Sequence, residues 1–341
     1  MNQSYRTRSD GQERPTLKTI ARLSGLAVTT VSRALGDAPD ISEDTKQKVR
    51  RIAQEVGYVP NRAGVRLRTG RTNVIALVLP AEGEVTNMTH RLIASVAEAL
   101  DGTGFHLIVV PEMRGRDRLD PVRYVVETGS ADAIILNSIA PEDTRVAYLR
   151  ARAFPFVTHG RTVWRDSHAY FDYDNHAFGA LAIETLARRG RRSLLMVAPP
   201  GDMTYGQEMR AAAVAAAEAA GVALAFADAT SDDPRPVISA DVATRLAAEP
   251  GIDALIAASP HAAMVSVAPI EARGHVIGTD FDLFAKETFP LLEFFRDGIL
   301  TVQEDIREAG RFLARAAVHE VRSGGGTPLQ ALDRPSDPSS G

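Results

Sequence analysis

The sequence predicts an α/β protein made of two unlike parts: an N-terminal all-α helix-turn-helix headpiece with a hinge, then a larger body of parallel sheets covered by helices. Three observations predict it. Residues 16–67 read as three short amphipathic helices followed by a basic segment. From Val74 onward, short apolar runs alternate with helical stretches, the pattern of βα units. The charge divides at the same place: residues 1–72 hold 14 Lys and Arg against 7 Asp and Glu, and the remainder holds 25 against 36. A basic module on an acidic body suits a nucleic-acid binder with a separate sensing domain.

Residues 1–15 are polar, end in Pro15 and are expected to form a disordered lead. The first helix opens at Thr16, an N-cap, and runs through Leu17, Ile20, Ala21 and Leu23 until Ser24-Gly25 breaks it. The second spans Val28 to Leu35, with Val28, Val31 and Leu35 on one side. Ala21, four residues ahead of Gly25, gives helix-turn-helix spacing: a small residue where two helices cross and a glycine where the turn needs positive φ. A third helix starts at Ser42, places Glu43 and Asp44 at the positive end of its dipole, and ends at Gly57. Its apolar face is Val49, Ile52, Ala53 and Val56. The outward face of the second helix, Thr29, Thr30, Ser32 and Arg33, offers hydroxyls and a guanidinium suited to base edges and phosphates in a major groove. On its own that face also fits the solvated side of a small bundle.

Past Pro60, Asn61 can cap one more short helix carrying Arg62, Arg66 and Arg68 around Gly64 and Leu67. It is too short and too poor in apolar residues to stand alone, so it is a linker or folds on a partner. Leu67 among arginines is an apolar wedge beside phosphate-seeking charges, the pairing that minor-groove binders use.

Residues 16–72 resemble the headpiece and hinge of the LacI (lactose repressor) family of transcriptional regulators. The resemblance lies in TLKTIA, the TVSR run ending at Arg33, Ser42 with Thr45, GYVPN, and RLRTGRT. It implies a DNA-binding domain over residues 16–60 and a hinge over 61–72. Leu17, Val28, Thr29 and Arg33 would face bases. Thr30, Ser32, Ser42, Thr45 and Asn61 would face phosphate or neighbouring groups, and Leu67 would wedge into the central base step. The implied partners are a pseudo-palindromic double-stranded operator and a second copy of the chain, as a homodimer. Two positions depart from the family. Ala27 stands where a capping hydroxyl is usual, and Gly64 replaces a better helix former, so the hinge is expected to lean on DNA to fold.

In the body, strands are expected at Val74–Pro80, Phe105–Pro111, Asp132–Asn137 and Phe154–His159, then at Ser193–Pro199, Val222–Ala227, Asp253–Ser259 and His275–Asp280. Helices fall between them, including 88–100, 178–189, 207–220 and 305–321. Residues 333–341 are expected to be a disordered tail. The resemblance implies a two-lobed, periplasmic-binding-protein-like effector domain over residues 73–332, with a ligand cleft between the lobes. Ligands of open α/β sheets sit at the carboxyl ends of strands, which nominates Pro80, Asn137, His159, Gly160 and Arg161 in the first lobe. In the second it nominates the residues after Pro199, then Ser259 and Asp280. By resemblance, Arg210 would clamp effector hydroxyls and Asp280 would accept from a sugar or purine. Phe171 fits an aromatic face against a sugar, or simple core packing, and Asn137 fits a ligand contact or a strand-end cap. The other readings are a surface ion pair of Arg210 with Glu208 or Glu218, and a strand-end cap for Asp280.

The implied function is a repressor of sugar-utilisation genes, controlled by a sugar or glycoside between the lobes. The alternatives are a solute-binding transport or chemotaxis protein, or a regulator that senses a non-sugar metabolite. Enzyme chemistry finds little support. Asp172/Asp174 and Asp280/Asp282 are paired carboxylates, but no histidine sits at metal-ligand spacing, and there is no G-x-S-x-G elbow or Gly-rich phosphate loop. No cofactor, metal or catalytic residue is expected. The chain has no cysteine, no membrane-length apolar run and a polar start, which reads as a bacterial cytoplasmic protein working on the nucleoid.

Overall fold

The computed structural model describes residues 15–58, 70–81, 86–324 and 326–340. The chain divides into two compact units, Met1–Thr72 and Asn73–Gly341. Asn61, Leu67 and nearly all of the expected hinge and lead lie outside the described residues.

In the first unit, α1 is Leu17–Ser24, α2 is Val28–Leu35 and α3 is Glu43–Glu55. Thr16 caps α1 in a reciprocal box: Thr19 N donates to Thr16 Oγ1 at 3.4 Å, and Thr16 N donates to Thr19 Oγ1 at 3.1 Å. Thr16→Ala should lower headpiece stability by about 1 kcal/mol, measured as an earlier thermal midpoint for that unit. Gly25, at φ +73°, makes the turn into α2. Seven buried residues form the core: Ile20, Ala21, Val31, Ala34, Val49, Ile52 and Ala53. Lys48 Nζ donates to Ser24 O at 2.9 Å and ties α3 to the end of α1. Leu23, expected inside, is 52% exposed, because Ser24 takes the inner position one helical turn after Ile20. Ala27 leaves α2 without a side-chain cap. Ser42 makes no backbone cap for α3, and its hydroxyl pairs with Thr45 Oγ1 at 2.9 Å.

The body runs β1 (Val74–Pro80), α4 (Thr86–Leu100), β2 (His106–Glu112), α5 (Leu119–Thr128), β3 (Ala133–Leu136), α6 (Thr144–Ala151), β4 (Phe156–His159) and β5 (Ala169–Tyr173). It continues with α7 (Asn175–Arg188), β6 (Ser193–Val197), α8 (Thr204–Ala220), β7 (Ala223–Phe226), α9 (Arg235–Ala248), β8 (Ala254–Ala257) and α10 (Pro260–Glu271). Last come β9 (Asp282–Glu287), α11 (Leu292–Phe295), β10 (Ile299–Gln303), α12 (Ile306–Ser323), β11 (Gln330–Asp333) and β12 (Ser339–Ser340). Two six-stranded sheets result, ordered β11-β5-β4-β3-β1-β2 and β12-β10-β9-β8-β6-β7. All pairings are parallel except that of β12 with β10.

Each sheet is buried on both faces, so its central strands read as unbroken apolar runs. Along β1, Ile75, Leu77 and Leu79 join the core formed with α4 and α12, while Val74, Ala76 and Val78 join that formed with α5 and α6. The chain passes between the lobes at β5–α7, β10–α12 and β11–β12. Close backbone packing fixes two of these helices. A Cβ on Gly179 of α7 would lie 2.4 Å from Met209 O of α8, and one on Gly310 of α12 would lie 2.1 Å from Ser95 Oγ.

Three expectations need correction. Residues 275–280 form no strand; only an isolated bridge joins Ile277 to Phe281, and the strand follows at Asp282–Glu287. Its first residue, Asp282, is fully buried and takes Arg189 Nε and Nη2 at 2.9 and 3.0 Å and Arg191 Nε at 2.8 Å. Residues 169–173, where no strand is expected, are a strand of the first sheet. The expected disordered tail is ordered over residues 333–340: Asp333 ends β11, which lies beside β5, and Ser339 and Ser340 pair with Thr301 and Leu300, where β10 would otherwise leave its edge unpaired.

Candidate functional site

A cavity of about 460 Å³ lies between the carboxyl ends of the two sheets. Pro80, Asn137, His159 and Tyr173 enter it from the ends of β1, β3, β4 and β5, and Pro199, Ser259 and Lys286 enter from β6, β8 and β9. Parallel strands with helices packed on both faces leave this end open, so side chains from separate βα units converge there.

The floor is a charge network at the crossovers. Lys286 Nζ lies 2.9 Å from Glu304 Oε2 and 3.3 Å from Asn175 Oδ1, and 5.0 Å from the centre of the Tyr173 ring. His159 Nε2 lies 3.6 Å from Glu304 Oε1. Burial alone would raise the Glu304 carboxyl, but Lys286 and His159 outweigh it and hold the group down to about 2. Asp172 is different: burial pushes its carboxyl up to about 6 despite Arg161 beside it. Burial also raises Asp232, which accepts from Ser231 Oγ at 2.9 Å and from the Tyr205 hydroxyl at 3.4 Å. Among the described residues, His159 Nδ1 and the Tyr173 hydroxyl are buried without a hydrogen-bond partner. Both residues line the cavity, with these two atoms turned into the protein.

Of the strand-end nominations, Pro80, Asn137, His159, Gly160 and Ser259 line this cavity, whereas Arg161 and Asp280 do not, nor do Phe171 and Arg210. Asn137 Oδ1 also accepts from Ser138 N at 2.8 Å, so the strand-end cap is present as well. Phe171 is a core residue, 3% exposed, with its ring centre 5.6 Å from that of Phe312 and 6.0 Å from that of His159. Arg161 lies behind the wall, bound to Asp172 and Glu208 at 2.7 Å each. Arg210 lies over the Phe226 ring, 4.8 Å from its centre, with Nη2 3.4 Å from Pro199 O. Asp280 is displaced furthest. It precedes β9, at the end away from the cavity, and there accepts from Val276 N at 2.6 Å and pairs with His275 at 3.2 Å. Lys286 and Glu287 occupy the strand end assigned to it. The strand-end rule would have found them had the strand been placed at residues 282–287. Tyr173, Asp232 and Glu304 carried no comparable signal.

On the headpiece, Thr29 and Arg33 are exposed one turn apart on α2, with Val28 beside them, 39% exposed and not packed with Val31. Thr30 and Ser32 are half-buried, and Leu17 packs partly against the core. Ser42 and Thr45 are joined at the start of α3. Arg33 pairs with Asp40, and both side chains are about half exposed, so DNA can compete for the guanidinium at little cost. Among the described residues, no helix is long and apolar enough to cross a membrane, and no group of three or more His, Cys, Asp or Glu is placed to hold a metal.

A helix-turn-helix unit joined to a two-lobed, periplasmic-binding-type body defines a ligand-responsive DNA-binding regulator. Residues 16–61 match the model for bacterial regulatory proteins of the lacI family, and residues 72–319 match that for periplasmic binding proteins and the sugar-binding domain of the LacI family. The HTH-type transcriptional regulator AglR of Rhizobium meliloti (strain 1021) is 30% identical over 93% of this chain and 91% of its own length. Among solved structures, the complex of the transcriptional regulator CelR with cellobiose has a TM-score of 0.69 at 24% identity, covering 96% of this chain and all of that one. The lac repressor dimer bound to operator and the anti-inducer ONPF has a TM-score of 0.78 at 16% identity, covering 95% and 97%. The chain belongs to the LacI family. It is a DNA-binding transcriptional regulator, not an enzyme.

Proposed function

We propose that this regulator is a homodimeric repressor of sugar-utilisation genes, released from or fixed to a pseudo-palindromic operator by a sugar or glycoside held between its lobes. The cavity carries the reading. Its volume of about 460 Å³ falls in the usual range for small-ligand sites, and its wall combines aromatic faces with carboxylates and a lysine. The cellobiose complex of a regulator with the same fold supports a saccharide of that size. Asn137, His159, Tyr173, Asp232 and Lys286 hold the ligand. Thr29, Arg33, Val28 and Leu17 face bases, Thr30, Ser32, Ser42, Thr45 and Asn61 face phosphate or neighbouring groups, and Leu67 wedges the operator centre. One reading helix covers a half-site, so two copies are needed. The protein acts in the cytoplasm, on DNA.

Fluorescence anisotropy of the full chain on its own upstream DNA, at fixed salt, tests this against a panel of mono- and disaccharides. Tight binding altered by one sugar is expected. Binding that no sugar alters removes the saccharide effector. Arg33→Ala should weaken operator binding by roughly 10- to 100-fold, as for loss of a base contact, and non-specific binding far less. An equal fall in both would place Arg33 on phosphate alone.

A further inference from the structure

The two lobes touch each other at several points beside the cleft. Thr204 N of α8 donates to Ile139 O of the first lobe at 2.9 Å. Arg118 Nη1 in the first lobe lies 3.8 Å from Met203 Sδ in the second. A third contact has a different construction. Arg161, just after β4, donates from Nε to Asp172 Oδ2 of its own lobe and from Nη2 to Glu208 Oε2 of α8, each at 2.7 Å. All three side chains are mostly buried. Neither Arg161 nor Glu208 lines the cavity.

We propose that Arg161 is the bolt of a latch between the lobes, anchored by Asp172 and engaging Glu208, which sets how much of the protein is closed before effector arrives. Asp172 keeps the guanidinium aimed whether the cleft is open or shut, so closure needs no reordering of a long side chain. Opening then exchanges a single charge-assisted contact, that with Glu208, for water. A ligand enclosed by both lobes binds the closed form, and its apparent dissociation constant is the intrinsic one divided by the closed fraction. The Arg161–Glu208 contact thereby tunes effector affinity without either residue lining the cavity; the anchor, Asp172, lies at its wall. This last step rests on the reading that the effector binds between the lobes; the latch itself does not.

The chain has no cysteine, so a pair introduced at two exposed positions, Tyr124→Cys in the first lobe and Val237→Cys in the second, can carry spin labels for pulsed distance measurement in the full-length protein. Without sugar, Glu208→Gln should lower the closed-to-open ratio by about tenfold, on the scale of one charge-assisted hydrogen bond. Arg161→Lys should do the same, because a point ammonium satisfies Asp172 but cannot fork to both carboxylates. The thermal midpoint of each variant checks that it is folded. Effector affinity should fall in step with the closed fraction, by up to about tenfold. A distance distribution unchanged in either folded variant overturns the latch. A shifted distribution in a protein whose DNA binding no sugar alters keeps the latch and removes the saccharide effector.

Discussion

Replacing Lys286 with methionine should destabilise the body by about 3–5 kcal/mol at neutral pH, because it strands Glu304 as a buried charge without its cation. Urea unfolding of the variant and the parent measures the difference. The pH dependence gives a stricter check. In the parent, the Glu304 carboxyl is held at about 2, below its ordinary 4.5, so its contribution is complete above about pH 4.5 and is lost as the pH falls through about 2. In Lys286→Met only His159 still opposes burial, so that carboxyl rises, and acid that protonates it relieves the variant. The gap between the two proteins should therefore narrow from pH 7 to pH 4. The double variant Lys286→Met with Glu304→Gln should recover part of the loss. A gap independent of pH would mean that Glu304 is not the group left stranded.

Gly179→Val should be the most damaging change at a residue without charge. Any Cβ there meets a backbone carbonyl, Met209 O, at 2.4 Å, so α7 must move from α8. Overpacking of this kind costs about 3 kcal/mol or more when the backbone is the obstacle. Gly201→Ala is the control, since a Cβ there meets nothing within 4 Å. Equal midpoints for the two variants in thermal unfolding would show that the helix contact yields easily. Because α7 starts at Asn175, which touches Lys286, the valine variant should also weaken ligand binding in whatever fraction still folds.

These two sites show where the sequence was readable and where it was not. β1 and β3 were legible because strands buried on both faces are unbroken apolar runs. The headpiece was legible because caps, turn glycine and helical period agree within each short segment. β9 was not. It carries Asp282, Lys286 and Glu287 in six residues, a pattern that reads as surface. The charges are tolerated inside because their partners arrive from elsewhere in the chain: Arg189 and Arg191 for Asp282, Glu304 for Lys286, and the backbone of Leu291 and Leu292 for Glu287. Pairing over such separations leaves no local periodicity. Placing that strand one segment early carried the effector acid to Asp280, on the far side of the sheet end from the cavity. Of the two readings open for Phe171, the structure shows core packing, with the ring turned inward against Phe312.

The seven-residue core of the headpiece has a thermal consequence. A domain this small sequesters little apolar surface, whereas each lobe of the body has two extensive cores. A calorimetric scan should show two heat-absorption peaks, with the small one first. Between them lies a temperature window in which the body is still folded but the headpiece no longer holds DNA. Warming would then release DNA with no ligand involved, and DNA, by binding the folded headpiece, would push that window upward.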